Sequence, residues 1–175
     1  MKRRAFLTTG GVAGLGLSLP STAVASRSAA ARSKQQEPYE PLGQVPITGA
    51  AEAVVGDNKL AYVAATTGFA IVDVSDPAEP TVLTEERTIE IDGAPLTQIL
   101  DLTVDGNRLI VAGPAETAGT SDLYLGFRRY DVSDPAEPVA TGAFETEYHI
   151  HNCFLEGDRL FVVENMRNEN RLVIF

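Results

Sequence analysis

The sequence has 175 residues, and its 24 acidic residues outnumber its 14 lysines and arginines, which gives a formal net charge of −10 at pH 7. No basic stripe is available to meet phosphates, so the composition excludes nucleic-acid binding. The lone cysteine, Cys153, excludes an internal disulfide, and its alternation with apolar neighbours predicts a small buried hydrophobe rather than a nucleophile.

The first 36 residues are predicted to serve export rather than the fold. An Arg-Arg pair followed by Phe and Leu resembles the twin-arginine signature, carried here by Arg3, Arg4, Phe6 and Leu7. The weakly apolar stretch that follows is shorter than the roughly 20 residues of a transmembrane helix. Small residues predict cleavage between Ala25 and Ser26, with a flexible linker after it. An uncleaved N-terminal anchor is the alternative, and no transmembrane span is expected in the mature chain.

The charge distribution changes at the same boundary. Residues 37–175 hold all 24 acidic residues but only 8 basic ones, a net charge of −16. Such a surface repels itself in dilute buffer, whereas molar salt shortens the Debye length to about 3 Å. We interpret the charge as adaptation to high salt, as in a halophile, with cation binding or sequestration as the alternative.

Two repeated motifs set the architecture of residues 37–175. The octapeptide Asp73–Pro80 recurs letter for letter as Asp131–Pro138, 58 residues later, a spacing typical of a whole supersecondary unit. A turn rich in Gly, Asp and Asn, followed by an apolar run, occurs three times and aligns on Leu60, Leu109 and Leu160. Each copy of this second motif predicts a tight β-hairpin.

One unit can be followed strand by strand. Apolar runs predict strands at residues 51–55, 60–65, 69–74 and 81–84, and two prolines end the third strand. Four antiparallel strands in about 45 residues are typical of a propeller blade. The predicted fold class is therefore all-β, with about three consecutive blades of four antiparallel strands, the last incomplete and the ring not closed. The predicted blade limits are about 44–90, 91–143 and 144–175.

These residues also resemble a known family. Phe69–Pro77 and the closing Leu172–Phe175 look like the LVIVD repeat, a Leu-Val-Ile-Val-Asp strand followed by a Ser-Asp-Pro turn. The resemblance covers roughly Leu42 to Phe175, and it implies a β-propeller of a secreted or surface-associated prokaryotic protein. The middle copy departs from the pattern, because Arg128 and Arg129 stand where apolar residues are expected.

The repeat alignment also indicates how much of the third unit the given sequence contains. Phe175 corresponds to Val72 and Tyr130, the residues that precede the octapeptides, so the third unit lacks its turn and its outer strand. We interpret the sequence as a C-terminally truncated member of the family, since closed propellers have about 4–8 blades. The alternative is a naturally short, open array of three sheets.

Candidate functional residues follow from the same register. Eight residues before each aligned leucine lie Glu52, Asp101 and Asn152, on the first and innermost strand of each unit. In a propeller such positions meet around the central channel, where they could bind water, a cation or a polar ligand, or simply fill a wet channel. His149 and His151, at i and i+2 on a predicted strand, are expected to share a face and form a weak candidate metal site.

The sequence therefore predicts an exported, salt-adapted binding module for an extracellular or cell-surface protein, glycan or small ligand. Export would engage the twin-arginine machinery. The alternative is a metal-dependent propeller enzyme that uses His149 and His151, with Glu52 or Asp101 as ligand or acid–base group. No cofactor is predicted beyond a possible divalent metal in that alternative. The long segment between Gly113 and Gly126 is an insertion in the second unit and a candidate surface loop.

Overall fold

The computed structural model describes residues 40–114, 123–165 and 170–175, and these residues form strands and turns without a helix. The predicted signal peptide, and with it Arg3, Arg4, Phe6, Leu7, Ala25 and Ser26, lies outside the described residues. Most of the candidate loop between Gly113 and Gly126 lies outside them as well. No described helix is long and apolar enough to cross a membrane.

Thirteen described strands form three stacked sheets and one small hairpin. Sheet 1 has the order β1-β2-β3-β4, with bounds Ala50–Val55, Leu60–Ala65, Gly68–Asp73 and Thr81–Glu86. Sheet 2 has the order β7-β8-β9-β10, with bounds Asp101–Asp105, Arg108–Gly113, Gly126–Asp131 and Val139–Glu145. Sheet 3 has the order β11-β12-β13, with bounds His149–Glu156, Arg159–Asn165 and Asn170–Ile174. Neighbouring strands in every sheet are antiparallel, as the sequence predicted.

A two-stranded hairpin between sheets 1 and 2 was not predicted. Strands β5 (Ile89–Ile91) and β6 (Ala94–Leu96) bury Ile89, Ile91 and Leu96 in the core that the two sheets share. This hairpin also accounts for Arg128, which donates a hydrogen bond to the Glu90 carbonyl and lies 5.7 Å from the Tyr130 ring centroid. An arginine is therefore accommodated where the repeat otherwise has an apolar residue.

The sheets pack face to face in chain order. We call the face turned toward the following sheet the front face, and the opposite one the back face. The front of sheet 1, including Tyr62 and Phe69, packs against Leu109 and Val111 on the back of sheet 2. The front of sheet 2 packs in the same way against the back of sheet 3, in a second core formed by Ile110, Ala112, Phe127, Ile150, Cys153, Leu155, Leu160 and Val162. Each core thus belongs to two consecutive sheets, which is why no single sheet buries its own apolar residues.

The octapeptides form the same turn in both copies. The Oδ1 atoms of Asp73 and Asp131 accept hydrogen bonds from the Ser75 and Ser133 amides, at 2.8 and 2.9 Å. The amide hydrogen bond lowers the pKa of Asp73, and the Ser133 hydroxyl, which also donates to Asp131, lowers the pKa of Asp131 together with the Ser133 amide. The octapeptide therefore specifies turn geometry through its aspartates.

The leucine alignment needs a correction of one residue. Leu109 lies opposite Tyr130, whereas Leu60 lies opposite Asp73, so Ala61 is the structural counterpart of Leu109. The cause is a β1–β2 turn that is one residue longer than the β7–β8 turn. Leu60 and Leu109 are both buried, but they lie on opposite faces of their sheets and meet in one core.

Candidate functional site

The three predicted inner positions are equivalent in the structure. Glu52, Asp101 and Asn152 lie opposite Ala64, Ala112 and Val163 in the three first hairpins. The first strands themselves are neighbours, since β7 contacts both β1 and β11. The extra residue of the β1–β2 turn and the shift at Leu60 cancel, so counting eight residues back still gives equivalent positions. Their role as channel-lining or ligand-binding residues stays a prediction.

Strand β7 is joined to strand β11 by side chains rather than by a β-ladder. Asp101 Oδ2 accepts a hydrogen bond from the Cys153 amide. Two residues further on, Thr103 Oγ1 accepts from the Leu155 amide at 3.1 Å, and Asp105 Oδ2 accepts from the Gly157 amide at 2.9 Å. Three acceptors on alternate residues thus satisfy three amides on alternate residues, and they hold sheet 3 against sheet 2 in one register.

Glu52 and Asp101 form a carboxyl pair at the inner end of this contact. Asp101 is buried, whereas Glu52 is exposed, and the two carboxyl groups are neighbours. Burial raises the pKa of Asp101, and burial together with the neighbouring Asp101 charge raises the pKa of Glu52. Two carboxyl groups that are this close ionise less readily than isolated ones, because their negative charges repel each other.

His151 lies near this pair, and Asn152 is exposed at the equivalent position of β11. Asn152 and His151 are exposed, and His151 lies close enough to Glu52 to lower the pKa of that carboxyl slightly. His151 is also the extra residue of a β-bulge between Ile150 and Asn152. The bulge breaks the alternation that predicted a shared face for His149 and His151. In the described parts of the chain, no three His, Cys, Asp or Glu side chains are grouped as metal ligands.

The polar contact of Cys153 is made by its backbone amide and not by its thiol. The residue is 5% exposed and packs in the core between sheets 2 and 3. Burial raises the pKa of its thiol well above the usual range, and the neighbouring Asp101 charge acts in the same direction. A thiol that resists ionisation is a poor nucleophile, so Cys153 behaves as the small hydrophobe that its sequence context predicted.

A charged cluster at the start of sheet 3 was missed by the sequence analysis. Glu164, 2% exposed, accepts a hydrogen bond from Arg171 Nε at 2.8 Å. Arg171 also donates to Glu147 at 3.0 Å and lies 4.8 Å from the Tyr148 ring centroid. The signal was a glutamate in the apolar run of β12, because a buried carboxylate requires a cationic partner.

A largely apolar cavity of about 210 Å³ opens between the outer parts of sheets 2 and 3. Aromatic side chains from both sheets line it, since the Phe127 ring centroid lies 5.0 Å from that of Phe144 and 5.2 Å from that of Phe175. Arg108 borders it and donates to Asp158 at 3.2 Å. This cavity lies away from the inner carboxyl pair and shares no residue with it.

Consecutive antiparallel sheets that share their cores and place their first strands side by side define a propeller-like repeat module. Residues 48–86, which contain the whole of sheet 1, match the family model of the LVIVD repeat. The resemblance read from the octapeptide is thereby confirmed for the first unit. No match is found among curated proteins.

Asp101→Ala is expected to lower the free energy of unfolding by about 1–3 kcal/mol, because it leaves the buried Cys153 amide without its acceptor. Chemical denaturation measures this change. Asp158→Ala, which removes a fully exposed aspartate, is the matched control and should change stability little. Equal losses of unfolding free energy in both variants would show that the hydrogen bond accepted by Asp101 does not stabilise the fold.

The pH dependence of stability provides a second test of this residue. Folding raises the pKa of Asp101, so protonation of this carboxyl stabilises the folded state. The contribution is complete at pH values below the pKa of Asp101 in the unfolded chain, about 4. That contribution is lost as the pH rises through the folded pKa. Asp101→Asn keeps an acceptor oxygen but cannot ionise, so its stability should fall less over this pH range than that of the unchanged protein. Identical pH profiles would contradict the assignment.

Proposed function

We propose that the protein is an exported, salt-adapted β-propeller module that binds a ligand outside the cell or at its surface. The observation that carries the proposal is the Glu52–Asp101 carboxyl pair on adjacent innermost strands, with exposed Asn152 at the equivalent position of the third. Carboxyl and amide groups are donors and acceptors suited to hydroxyl-rich ligands. A cell-surface glycan is therefore the ligand class that these side chains favour.

No observation favours the metal-dependent enzyme. The bulge at His151 interrupts the strand alternation on which a shared face for the two histidines was predicted, and Cys153 is buried with a raised thiol pKa. The cavity between sheets 2 and 3 is lined mainly by apolar groups and does not contain a catalytic carboxylate pair. A binding module remains the function that best accounts for the described residues.

Binding is tested with labelled protein on an array of neutral oligosaccharides in molar salt. We expect specific binding, weakened about tenfold by Glu52→Ala, which removes one hydrogen-bonding group of the carboxyl pair. Glu90→Ala, at an exposed position on the β5–β6 hairpin, is the control and should bind normally. A folded protein that binds no oligosaccharide, or binds equally well with Glu52→Ala, would contradict the glycan assignment.

Export is tested by changing Arg3 and Arg4 to Lys together in a host with twin-arginine translocation. The unchanged protein should be exported with Ser26 as its first residue, and the double variant should accumulate uncleaved in the cytoplasm. Fractionation, immunoblotting and N-terminal sequencing report both outcomes. Arg27→Lys, just after the predicted cleavage site, is the control. Normal export of the double variant would rule out this route.

Salt adaptation predicts that the melting temperature rises from dilute buffer to molar potassium chloride, because screening relieves repulsion among the acidic side chains. Calorimetry measures the shift. Sucrose stabilises by exclusion without screening charge, and so it separates the two effects. A melting temperature that responds to sucrose but not to salt would contradict the proposal.

A further inference from the structure

The sequence contains two Asp-Gly dipeptides, and each lies at the turn of a β-hairpin: Asp92 with Gly93, and Asp105 with Gly106. Both glycines have a left-handed φ, +82° at Gly93 and +59° at Gly106, and an added Cβ at either would meet nothing within 4 Å. Because glycine has no Cβ, its amide nitrogen is unhindered toward the carboxyl group of the preceding aspartate. The two dipeptides are thus matched in their chemistry, and a difference in reactivity must come from the fold.

The fold holds the carboxyl group of Asp105 in place. Its Oδ2 atom accepts a hydrogen bond from the Gly157 amide at 2.9 Å and another from the Arg108 guanidinium at 3.1 Å. The backbone of Asp105 belongs to β7 and is paired with Arg108 in the ladder between β7 and β8. The carboxyl group would have to leave both partners before it could reach the Gly106 nitrogen.

Asp92 lies in a more open setting. Together with Gly93 it forms the exposed two-residue turn that joins Ile91 to Ala94, the last pair of the β5–β6 ladder. The φ values of +53° at Asp92 and +82° at Gly93 are typical of a type I′ turn. Among the described residues, no backbone hydrogen bond uses the Gly93 amide. The nitrogen and the carboxyl group that would react are therefore both accessible at this turn.

We propose that the Asp92–Gly93 bond is a site of spontaneous isoaspartate formation, and that the Asp105–Gly106 bond is protected. The Gly93 nitrogen attacks Cγ of the Asp92 carboxyl group and a C–N bond forms, while the carboxyl hydroxyl and the amide proton leave as water. Water then opens the cyclic imide at either of its carbonyl groups. Opening at Cγ restores aspartate, whereas opening at the backbone carbonyl gives isoaspartate, in which the chain continues through the side chain. The reaction needs no co-reactant other than water.

The modification affects the core between sheets 1 and 2, because the β5–β6 hairpin fills part of that core. Ile89, Ile91 and Leu96 are 1%, 6% and 1% exposed there. Isoaspartate adds a methylene group to the backbone of the turn, which then no longer has the geometry that a two-residue hairpin connection requires. The Ile91–Ala94 pair is the first to be disturbed, and the packing of Ile91 weakens with it.

Ageing of the full chain tests the site selectivity. The protein is incubated in mildly acidic buffer with molar potassium chloride, where circular dichroism shows that it is folded. Trypsin then releases one peptide, from Thr88 to Arg108, that contains both dipeptides. Electron-transfer fragmentation distinguishes isoaspartate from aspartate at each position. We expect several-fold more isoaspartate at position 92 than at position 105.

The matched control is the same chain unfolded in guanidinium chloride, where the two dipeptides should react at comparable rates. Isoaspartate that is absent from position 92 of the folded protein, or equally abundant at position 105, overturns the proposal. A preference for position 92 that persists unchanged in the unfolded chain overturns it as well, because the fold would then not be the cause.

The variant Asp92→Gly tests the effect on the hairpin. Glycine accepts the left-handed φ of this position, but it has no carboxyl group and forms no imide. On ageing, the melting temperature of the unchanged protein should fall by about 5 °C as isoaspartate accumulates, whereas that of Asp92→Gly should stay constant. Aged protein that contains isoaspartate at position 92 but melts like fresh protein, or an equal decline in the variant, overturns the effect on the hairpin.

Discussion

The structure depends on the face-to-face packing of consecutive sheets, because each sheet buries its apolar side chains only against its neighbour. The sheets are apolar on both faces, so that Tyr62 and Phe69 are buried only because Leu109 and Val111 lie opposite them. Burial of apolar area favours such stacking but does not specify its register. Register requires directional bonds, and β7 provides them through side chains that accept hydrogen bonds from the amides of β11. The Asp101 side chain therefore helps to fix the register of sheet 3 on sheet 2, besides placing a carboxyl group at the inner position.

This dual role explains why an acidic residue is buried at an inner position. The desolvation of Asp101 raises its pKa, and the hydrogen bond from the Cys153 amide partly offsets this cost. A carboxylate held in this way is preorganised, because its orientation is fixed before any ligand arrives. In the proposed function, the group that holds the sheets in register would also hold the exposed Glu52 beside it in position for a polar ligand.

The repeat made most of the fold and the inner residues predictable. An exact octapeptide and a hairpin motif fix the strand order and the period, and Glu52, Asp101 and Asn152 follow by counting along it. Counting fails where residues are inserted without a repeat signature. The β5–β6 hairpin has short apolar runs that belong to no repeat unit, and the bulge at His151 adds one residue to a strand without altering its composition. The hairpin is a tertiary feature outside the repeat, whereas the bulge recurs beside Glu52 in β1 but has no residue type that marks it.

The same limits apply to partners that lie far apart in the chain. Glu164 and Arg171 are brought together across a hairpin, and their pairing leaves a buried carboxylate compensated. Periodicity cannot show such a pairing, because the pairing depends on which side chains the hairpin brings together.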